Sequence, residues 1–274
     1  MKKNIALLLG LILGLSFVSC SSDDDDDENV NGEDKYLAEL LITRYDWKDG
    51  KRSDEGKLNQ LIKYNKDGRW LGSEYNDGTR DEYTYDDNGD CIESREYNSN
   101  NTLIYTSKYE YNYVDSFMVM SVYNWKNELV RTDKNEYSYD EKLIKSTVII
   151  DSIGKDHGSV RIYSYSETTV TMEETNLKDG SFMQKFTREY DSHGNITKMT
   201  TSYKSGNIYI DEFSNEYDSN GRLLKTTMYN GVYGYTEYTY NDDGTVKNQH
   251  CVNKMGKSSE EEYDLEYTYK YKKK

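Results

Sequence analysis

Tyr217-Asp218-Ser219-Asn220-Gly221-Arg222-Leu223 is the stretch that decides the fold. Its pattern, Tyr-[Asp/Asn]-x-x-Gly-x-apolar, returns at Tyr64 to Trp70, Tyr85 to Cys91, Tyr190 to Ile196 and Tyr240 to Val246. Each copy reads as the same physical object. A β-branched or aromatic run leads up to the Tyr. The Asp or Asn then opens a type I turn, and Gly takes the left-handed position that closes it with a bulge. The apolar residue two places after Gly restarts the next strand on its buried face. The repeated unit is therefore a β-hairpin.

Between these turns the sequence places a looser kind: Asn76-Asp77-Gly78, Asn98 to Asn101, Asn124 to Asn127, Lys178-Asp179-Gly180, Ser205-Gly206-Asn207, Asn230-Gly231 and Lys254-Met255-Gly256. Two turns per repeat mean two strands per repeat, each on the order of 6–10 residues. The Tyr anchors fall at Tyr64, Tyr85, Tyr111, Tyr139, Tyr165, Tyr190, Tyr217, Tyr240 and Tyr269. At Tyr111, Tyr139 and Tyr165 the Gly is gone, and spacing and a Tyr-x-Tyr signature mark the copy. That signature, as in Tyr83/Tyr85 or Tyr238/Tyr240, alternates rings with Thr, Ser or Glu, so the rings of one strand share one face. Stacked across neighbouring strands, they form aromatic ladders. The aliphatic stretch Tyr36 to Tyr45 is the expected first strand, the loop Asp46 to Gly56 follows, and Lys57 to Tyr64 leads into the first full motif.

Composition fits this reading. A mean hydropathy of −1.00 and 31% charged residues suggest disorder, but 29 Tyr argue for a core of rings with wet hydroxyls. Proline is absent, as continuous strands require. A net charge of −15 repels phosphate backbones and excludes nucleic acid as a partner. The closing lysines Lys270, Lys272, Lys273 and Lys274 read as charge guarding an exposed edge strand.

The first residues give an address. Lys2-Lys3 precede an apolar run from Ile5 to Val18, too short to span a membrane and shaped like the core of a signal peptide. It ends in Ser16-Phe17-Val18-Ser19-Cys20, which resembles a bacterial lipobox, although Phe17 stands where Leu is usual. The resemblance implies cleavage before Cys20 and a lipid on its sulfur. Asp23 to Asp27 and Glu28 then form a solvated acidic spacer. Their place directly after the lipidated Cys resembles the export signal of lipoproteins displayed on the outer face of the outer membrane. The expected organisation is a signal peptide over 1–19, an acidic tether over 20–35 and one repeat domain over 36–274.

The hairpin motif resembles the YD repeat, the unit of rearrangement-hot-spot proteins, toxin-complex subunits and teneurins. Five strong copies and about four degenerate ones cover residues 57 to 271. The resemblance implies an all-β fold, an antiparallel meander of repeated hairpins coiled into a long sheet. In large members of the family that sheet closes into a shell around a cargo; at 274 residues this chain is far too short for one. The expectation is an open, twisted sheet.

No chemistry-bearing pattern competes with this. His157, His193 and His250 are well separated, and no nucleophile elbow, phosphate loop, dinucleotide fingerprint or Cys/His metal spacing occurs. Asp86-Asp87-Asn88-Gly89-Asp90 starts like a calcium loop but has Cys91 where Gly is needed and Tyr97 where the acid is needed, so it reads as a turn. No catalytic residue, metal or cofactor is expected; the single site is lipidation at Cys20. The leading function is a non-enzymatic, surface-anchored module that binds a glycan or protein partner through its sheet face or edge. Trp47, Trp70 and Trp125 are its candidate sugar-stacking rings, although sheet packing accounts for each of them too. The alternative is an envelope structural or toxin-associated repeat protein. Cys91 and Cys251 lie some six repeats apart, roughly 50–60 Å along an open sheet, and are expected to stay unpaired.

Overall fold

The computed structural model describes residues 35–149, 158–229, 233–255 and 259–273. All regular structure in them is strand. The first strands are β1 (Lys35–Lys48), β2 (Lys51–Arg52), β3 (Lys57–Tyr64), β4 (Trp70–Tyr75), β5 (Arg80–Tyr85) and β6 (Cys91–Tyr97). Next come β7 (Leu103–Asn112), β8 (Phe117–Asn124), β9 (Leu129–Tyr137), β10 (Leu143–Ile149), β11 (Ser159–Tyr165) and β12 (Thr169–Asn176). The chain finishes with β13 (Phe182–Tyr190), β14 (Ile196–Tyr203), β15 (Ile208–Tyr217), β16 (Leu223–Tyr229), β17 (Tyr233–Tyr240), β18 (Val246–Met255) and β19 (Ser259–Lys273). The meander of hairpins is as expected, and β3 has the bounds read from the sequence. The first strand is longer than expected, and the loop after it contains the small arm β2, which pairs with the end of β1.

The sheet is not open. From β3 onward each strand pairs with the next, and β1 pairs with both β3 and β19. With β2 set aside, eighteen antiparallel strands form a closed up-and-down barrel. The seam is long: eleven paired positions run from Lys35↔Lys273 to Asp46↔Tyr263. Leu40 sits opposite Tyr269 and Ile42 opposite Tyr267, and these rings and aliphatics form a core cluster joined by Ile62, Tyr64, Val246 and Leu265. The expected edge at the C-terminus is therefore this seam. Lys270 does not guard an edge; its Nζ donates to Glu39 Oε2 at 3.1 Å across the closing pair. Closure leaves the sheet without an edge strand.

Register and burial separate the two faces. Leu40, Cys91, Tyr109, Met118, Asp133, Val148, Cys251 and Tyr267, each buried to a few per cent, fall on the inner face of the ring, while Val252 and Asp264 are as deeply buried on the outer one. The outer face carries charge. Lys63 meets Glu74, Lys145 meets Glu136 at 3.4 Å, and Lys225 meets Glu237 at 2.7 Å. The period-2 Tyr ladders read from the sequence line the lumen, whereas Tyr45, Tyr123, Tyr229 and Tyr235 fall on the outer face. Eighteen strands enclose more room than side chains fill, and inner-face rings such as Tyr203 and Tyr209 remain exposed.

Each strict motif turns as read. Gly68, Gly89, Gly194, Gly221 and Gly244 hold φ between 79° and 94°, and a register shift follows at each Tyr. These turns all lie on one end of the barrel, the anchor rim. Asp218 Oδ1 accepts the N–H groups of Asn220 and Arg222 at 2.9 Å each. One anchor needs correction. Tyr139 is 93% exposed and lies within a turn; the anchor is Tyr137, in Tyr137-Ser138-x-x-Glu141-x-Leu143. Ser138 Oγ accepts from the N–H of Lys142, and Glu141 takes the left-handed place with φ 64°. The opposite end, the far rim, holds unrecognised copies as well. Tyr97 to Leu103 and Tyr123 to Leu129 use Asn101 (φ 60°) and Asn127 (φ 62°) in the Gly slot.

Candidate functional site

A bulge at six of the eight anchor-rim turns takes the carbonyl of the restart residue out of the ladder. The next Tyr anchor supplies the missing donor. Tyr85 Oη donates to the Trp70 carbonyl at 2.6 Å, Tyr111 to Cys91 at 2.8 Å, and Tyr165 to Leu143 at 2.8 Å. Tyr240 donates to Leu223 at 2.6 Å and Tyr269 to Val246 at 2.8 Å. At the sixth such place Asn215 Nδ2 takes the Ile196 carbonyl at 3.1 Å, and Tyr217 donates instead to Asp191. The Tyr of one repeat therefore latches the turn of the repeat before it, which is why the motif opens on Tyr rather than Phe.

Below this rim the lumen has two unlike walls. Across β4 to β8 it is aromatic and acidic. Trp70 stacks on Tyr83 with ring centres 4.8 Å apart, and Cys91, Tyr109 and Met118 form a core cluster with Tyr85, Tyr111, Met120 and Tyr137. Asp81 accepts the Ser73 N–H at 2.6 Å and the Tyr75 hydroxyl at 3.1 Å. Burial pushes the Asp81 carboxyl up, and burial with Asp81 beside it pushes the Tyr75 phenol up to about 12. Glu96, opposite Asp81 in register, is shifted up by desolvation and then by the charge of Asp81. Half a turn of the barrel away, β12 to β16 present Met172, Phe186, Met199, Phe213 and Met228 inward with a single arginine, Arg188.

Between the walls, inward charges are paired. Arg131 grips Asp133 through two bonds of 2.8 and 2.7 Å. Glu174 takes Arg161 at 2.9 Å, Ser159 at 2.6 Å and Gln184 at 2.5 Å. Burial works to raise the Glu174 carboxyl, but these donors and the Arg161 charge outweigh it and leave the group lowered.

The residues singled out in the sequence are dispersed. His193 lies in its turn, stacked on Tyr217 at 4.0 Å. His250 is on the outer face, where Nδ1 lies 2.7 Å from Asp264 and the ring lies edge-on to Trp47 beneath the β1–β2 arm. His157 lies outside the described residues. Trp47 and Trp70 pack against the sheet, whereas Trp125 stands 65% exposed on the far rim. Asp86 caps its turn, its Oδ1 accepting the N–H groups of Asn88, Gly89 and Asp90. Among the described residues no cluster of His, Cys, Asp or Glu is placed to hold a metal ion. Cys91 and Cys251 are free and buried, as expected. The reason differs, because closure brings them to six strands apart through the seam, still roughly 29 Å of sheet. Burial raises both thiols, Cys91 to about 11. The leader, Cys20 and the tether up to residue 34 lie outside the described residues. The lumen itself had no signal in the sequence, since it exists only once β1 meets β19.

Fold and site define a closed antiparallel barrel with a charged outer face and an aromatic, polar interior. No family model matches the chain, and no curated protein matches it. Among solved structures, a porin-like protein from Bacteroides uniformis ATCC 8492 is similar, with a TM-score of 0.48 at 11% identity over 85% of this chain and 98% of that one. A porin-like protein from Bacteroides vulgatus ATCC 8482 gives 0.37 at 11% identity, over 84% and 98%. The toxin assembly TcdB2-TccC3-Cdc42 gives 0.36 at 12% identity, over 85% of this chain but 16% of that one. At these scores the likenesses do not bear on what this chain binds.

Proposed function

We propose that this is a lipid-anchored outer-membrane protein, displayed on the cell surface, whose barrel stands in water and works as a non-enzymatic binding module for a glycan or protein partner. Its hairpins belong with the YD-repeat type in this reading, supported by the turn motif and by the Tyr latches. The observation that carries the proposal is the outer face. A barrel that crosses a membrane turns an apolar band about 25 Å tall to the lipid. Here the same positions hold Lys63, Glu74, Glu82, Arg95, Lys134 and Glu136, with ion pairs across strands at Lys63–Glu74 and along one strand at Arg80–Glu82, Arg95–Glu93 and Lys134–Glu136. Such a barrel needs another means of attachment, and the lipid on Cys20 supplies it. Lys35 begins β1 at the anchor rim, opposite Lys273. The tether thus joins the rim that is latched, and the far rim faces away from the membrane. There Leu177, Phe182, Tyr203, Ile208 and Tyr229 are exposed along neighbouring strand ends, a surface suited to a partner.

The test is Cys20→Ala with membrane fractionation. The variant is expected to lose fatty-acid labelling and to move to the soluble fraction with its barrel folded. A variant that stays in the membrane and resists alkaline extraction would mean that the strands themselves are inserted. Protease added to intact cells then reads the display: an uncut protein beside a cut surface control would place it on the periplasmic side. A glycan array on the soluble variant reads the partner class.

A further inference from the structure

Arginines on the inner side of the barrel follow a rule with one exception. Arg44 meets Asp46 at 2.7 Å, Arg131 meets Asp133 at 2.7 Å, and Arg161 meets Glu174 at 2.9 Å. Arg188 has no carboxylate partner among the described residues. Its Nε is buried without any hydrogen-bond partner, and its guanidinium lies 4.9 Å from the centre of the Phe186 ring. A buried donor left open carries a desolvation cost that a well-packed protein avoids. The neighbours cannot answer it. Across the strands Arg188 faces Val170 on one side and Met199 on the other, and the next row toward the far rim holds Met172 and Phe186. Lysines, the commoner cations of this chain, point outward on these strands, as Lys185 and Lys198 do. A single unpaired cation is thus set in the most apolar part of the lumen wall.

We propose that this wall binds a long-chain fatty acid, with the carboxylate on Arg188 and the chain along the methionine and phenylalanine side chains of β12 to β14. The chemistry follows from the parts. A guanidinium offers a planar fork that fits a carboxylate through two parallel hydrogen bonds. Thioethers and an aromatic ring give an adaptable apolar lining for a flexible chain. Asp211 lies two strands along the same row and opposes a second negative charge, which favours a monoanion over a phosphate dianion. Tyr203 and Tyr209, edge to face at 5.8 Å on the inner face, stand where the wall reaches the far rim and mark the entrance. This site is separate from the lipid on Cys20 and does not depend on the anchoring reading.

The experiment uses the unlipidated Cys20→Ala chain, free of detergent, titrated with the fluorescent fatty acid cis-parinaric acid and with its methyl ester. Saturable binding of about one acid per chain is expected, at least about tenfold tighter than the ester. Arg188→Met is expected to bring the acid down to the ester's affinity and to leave ester binding unchanged. Arg131→Met, which breaks a pair elsewhere in the lumen, is expected to leave the ratio of acid to ester affinity as it was. The acid-to-ester ratio in the chain with Arg188 intact needs no folded variant. Absence of saturable binding there, equal affinity for acid and ester, or undiminished acid binding by folded Arg188→Met would each overturn the proposal.

Discussion

At the anchor rim the same few residues recur around the barrel: an Asp, Asn or Ser that caps the turn, a left-handed residue, and a Tyr whose hydroxyl reaches back to the previous turn. Among the described residues the far rim shares the first two, and Tyr75 and Tyr97 there do not reach back to a turn carbonyl. Asn98 and Asn124 cap their turns much as Asp218 does, and Gly78, Asn101, Asn127 and Gly206 hold positive φ. There the hydroxyls of Tyr75 and Tyr97 donate to the carboxylates of Asp81 and Glu82 instead of to a carbonyl. Turn chemistry alone therefore makes a hairpin, and both rims have it. The backbone ladder joins hairpin to hairpin all the way along, and the chain adds a side-chain bond between successive turns on one rim. The other rim is left free to vary its loops and to expose Trp125, Ile208 and Tyr229. The strictness of a repeat thus marks where the barrel is held, and its looseness marks where a partner can be met.

The largest break in this comparison comes from the turn itself. Gly221 sits at φ 79°, and a Cβ added there would meet only the His193 ring at 3.6 Å, an ordinary contact. The cost of Gly221→Val is therefore conformational, and it should exceed about 1 kcal/mol because a β-branched residue is forced into the left-handed region. Ser219→Ala in the same turn should cost less than about 0.5 kcal/mol. Glu141 gives the mirror image. It already occupies the Gly slot at φ 64°, so Glu141→Gly should stabilise by up to about 1 kcal/mol. Chemical denaturation of the three variants checks the set. Equal midpoints for Gly221→Val and Ser219→Ala would show that the turn does not depend on its glycine, and a loss at Glu141→Gly would remove Ser138–Glu141 from the repeat.

Next in size is the latch. Tyr240→Phe keeps the ring and removes the hydroxyl that donates to the Leu223 carbonyl at 2.6 Å. A half-buried carbonyl loses its partner, and the expected cost is about 0.5–1.5 kcal/mol. Tyr209→Phe is the matched change near the far rim, on a ring that is 57% exposed, and it should be close to silent. Thermal unfolding of the two proteins side by side separates them. If Tyr209→Phe lowers the midpoint as much as Tyr240→Phe, the latch is not what distinguishes the rims.

How far the sequence reached follows the same division. The hairpins, the strict turns and the shared face of the Tyr ladders were legible, because a period of two and a left-handed Gly are local facts; the thiols are free as expected, but that expectation rested on an open sheet. Closure was not legible. It depends on β1 and β19, the two ends of the chain, finding each other, and no local pattern reports a contact over that distance. Lys270 and Glu39 carry complementary charge, but each looks like ordinary surface until Leu40 is set against Tyr269. The anchor at Tyr137 was missed because Ser138 and Glu141 preserve the geometry of the motif while changing both of its marker residues. Arg188 was illegible for a third reason. Its isolation is defined by what its neighbours on other strands fail to provide.

The smallest expected effect is at Trp125, and it tests whether the far rim is free of structural duty. Trp125 lies in the turn between β8 and β9 with 65% of its surface exposed, so folding takes little of the ring out of water. Its one close charge, the Lys126 ammonium at 4.9 Å from the ring centre, belongs to the adjacent residue. Neighbours in sequence keep such a contact in the unfolded chain, so it adds little to the difference between the two states. The turn is held instead by Asn124, whose side chain accepts the N–H groups of Lys126 and Glu128 at 3.0 Å each, and by Asn127 in the left-handed place. None of these bonds involves the indole. Trp125→Ala should therefore change stability by less than about 0.5 kcal/mol, below the effect of Tyr240→Phe. A larger loss, measured in the same denaturation series, would mean that the far rim is stapled by its exposed rings and that the division between a held rim and a free one is wrong.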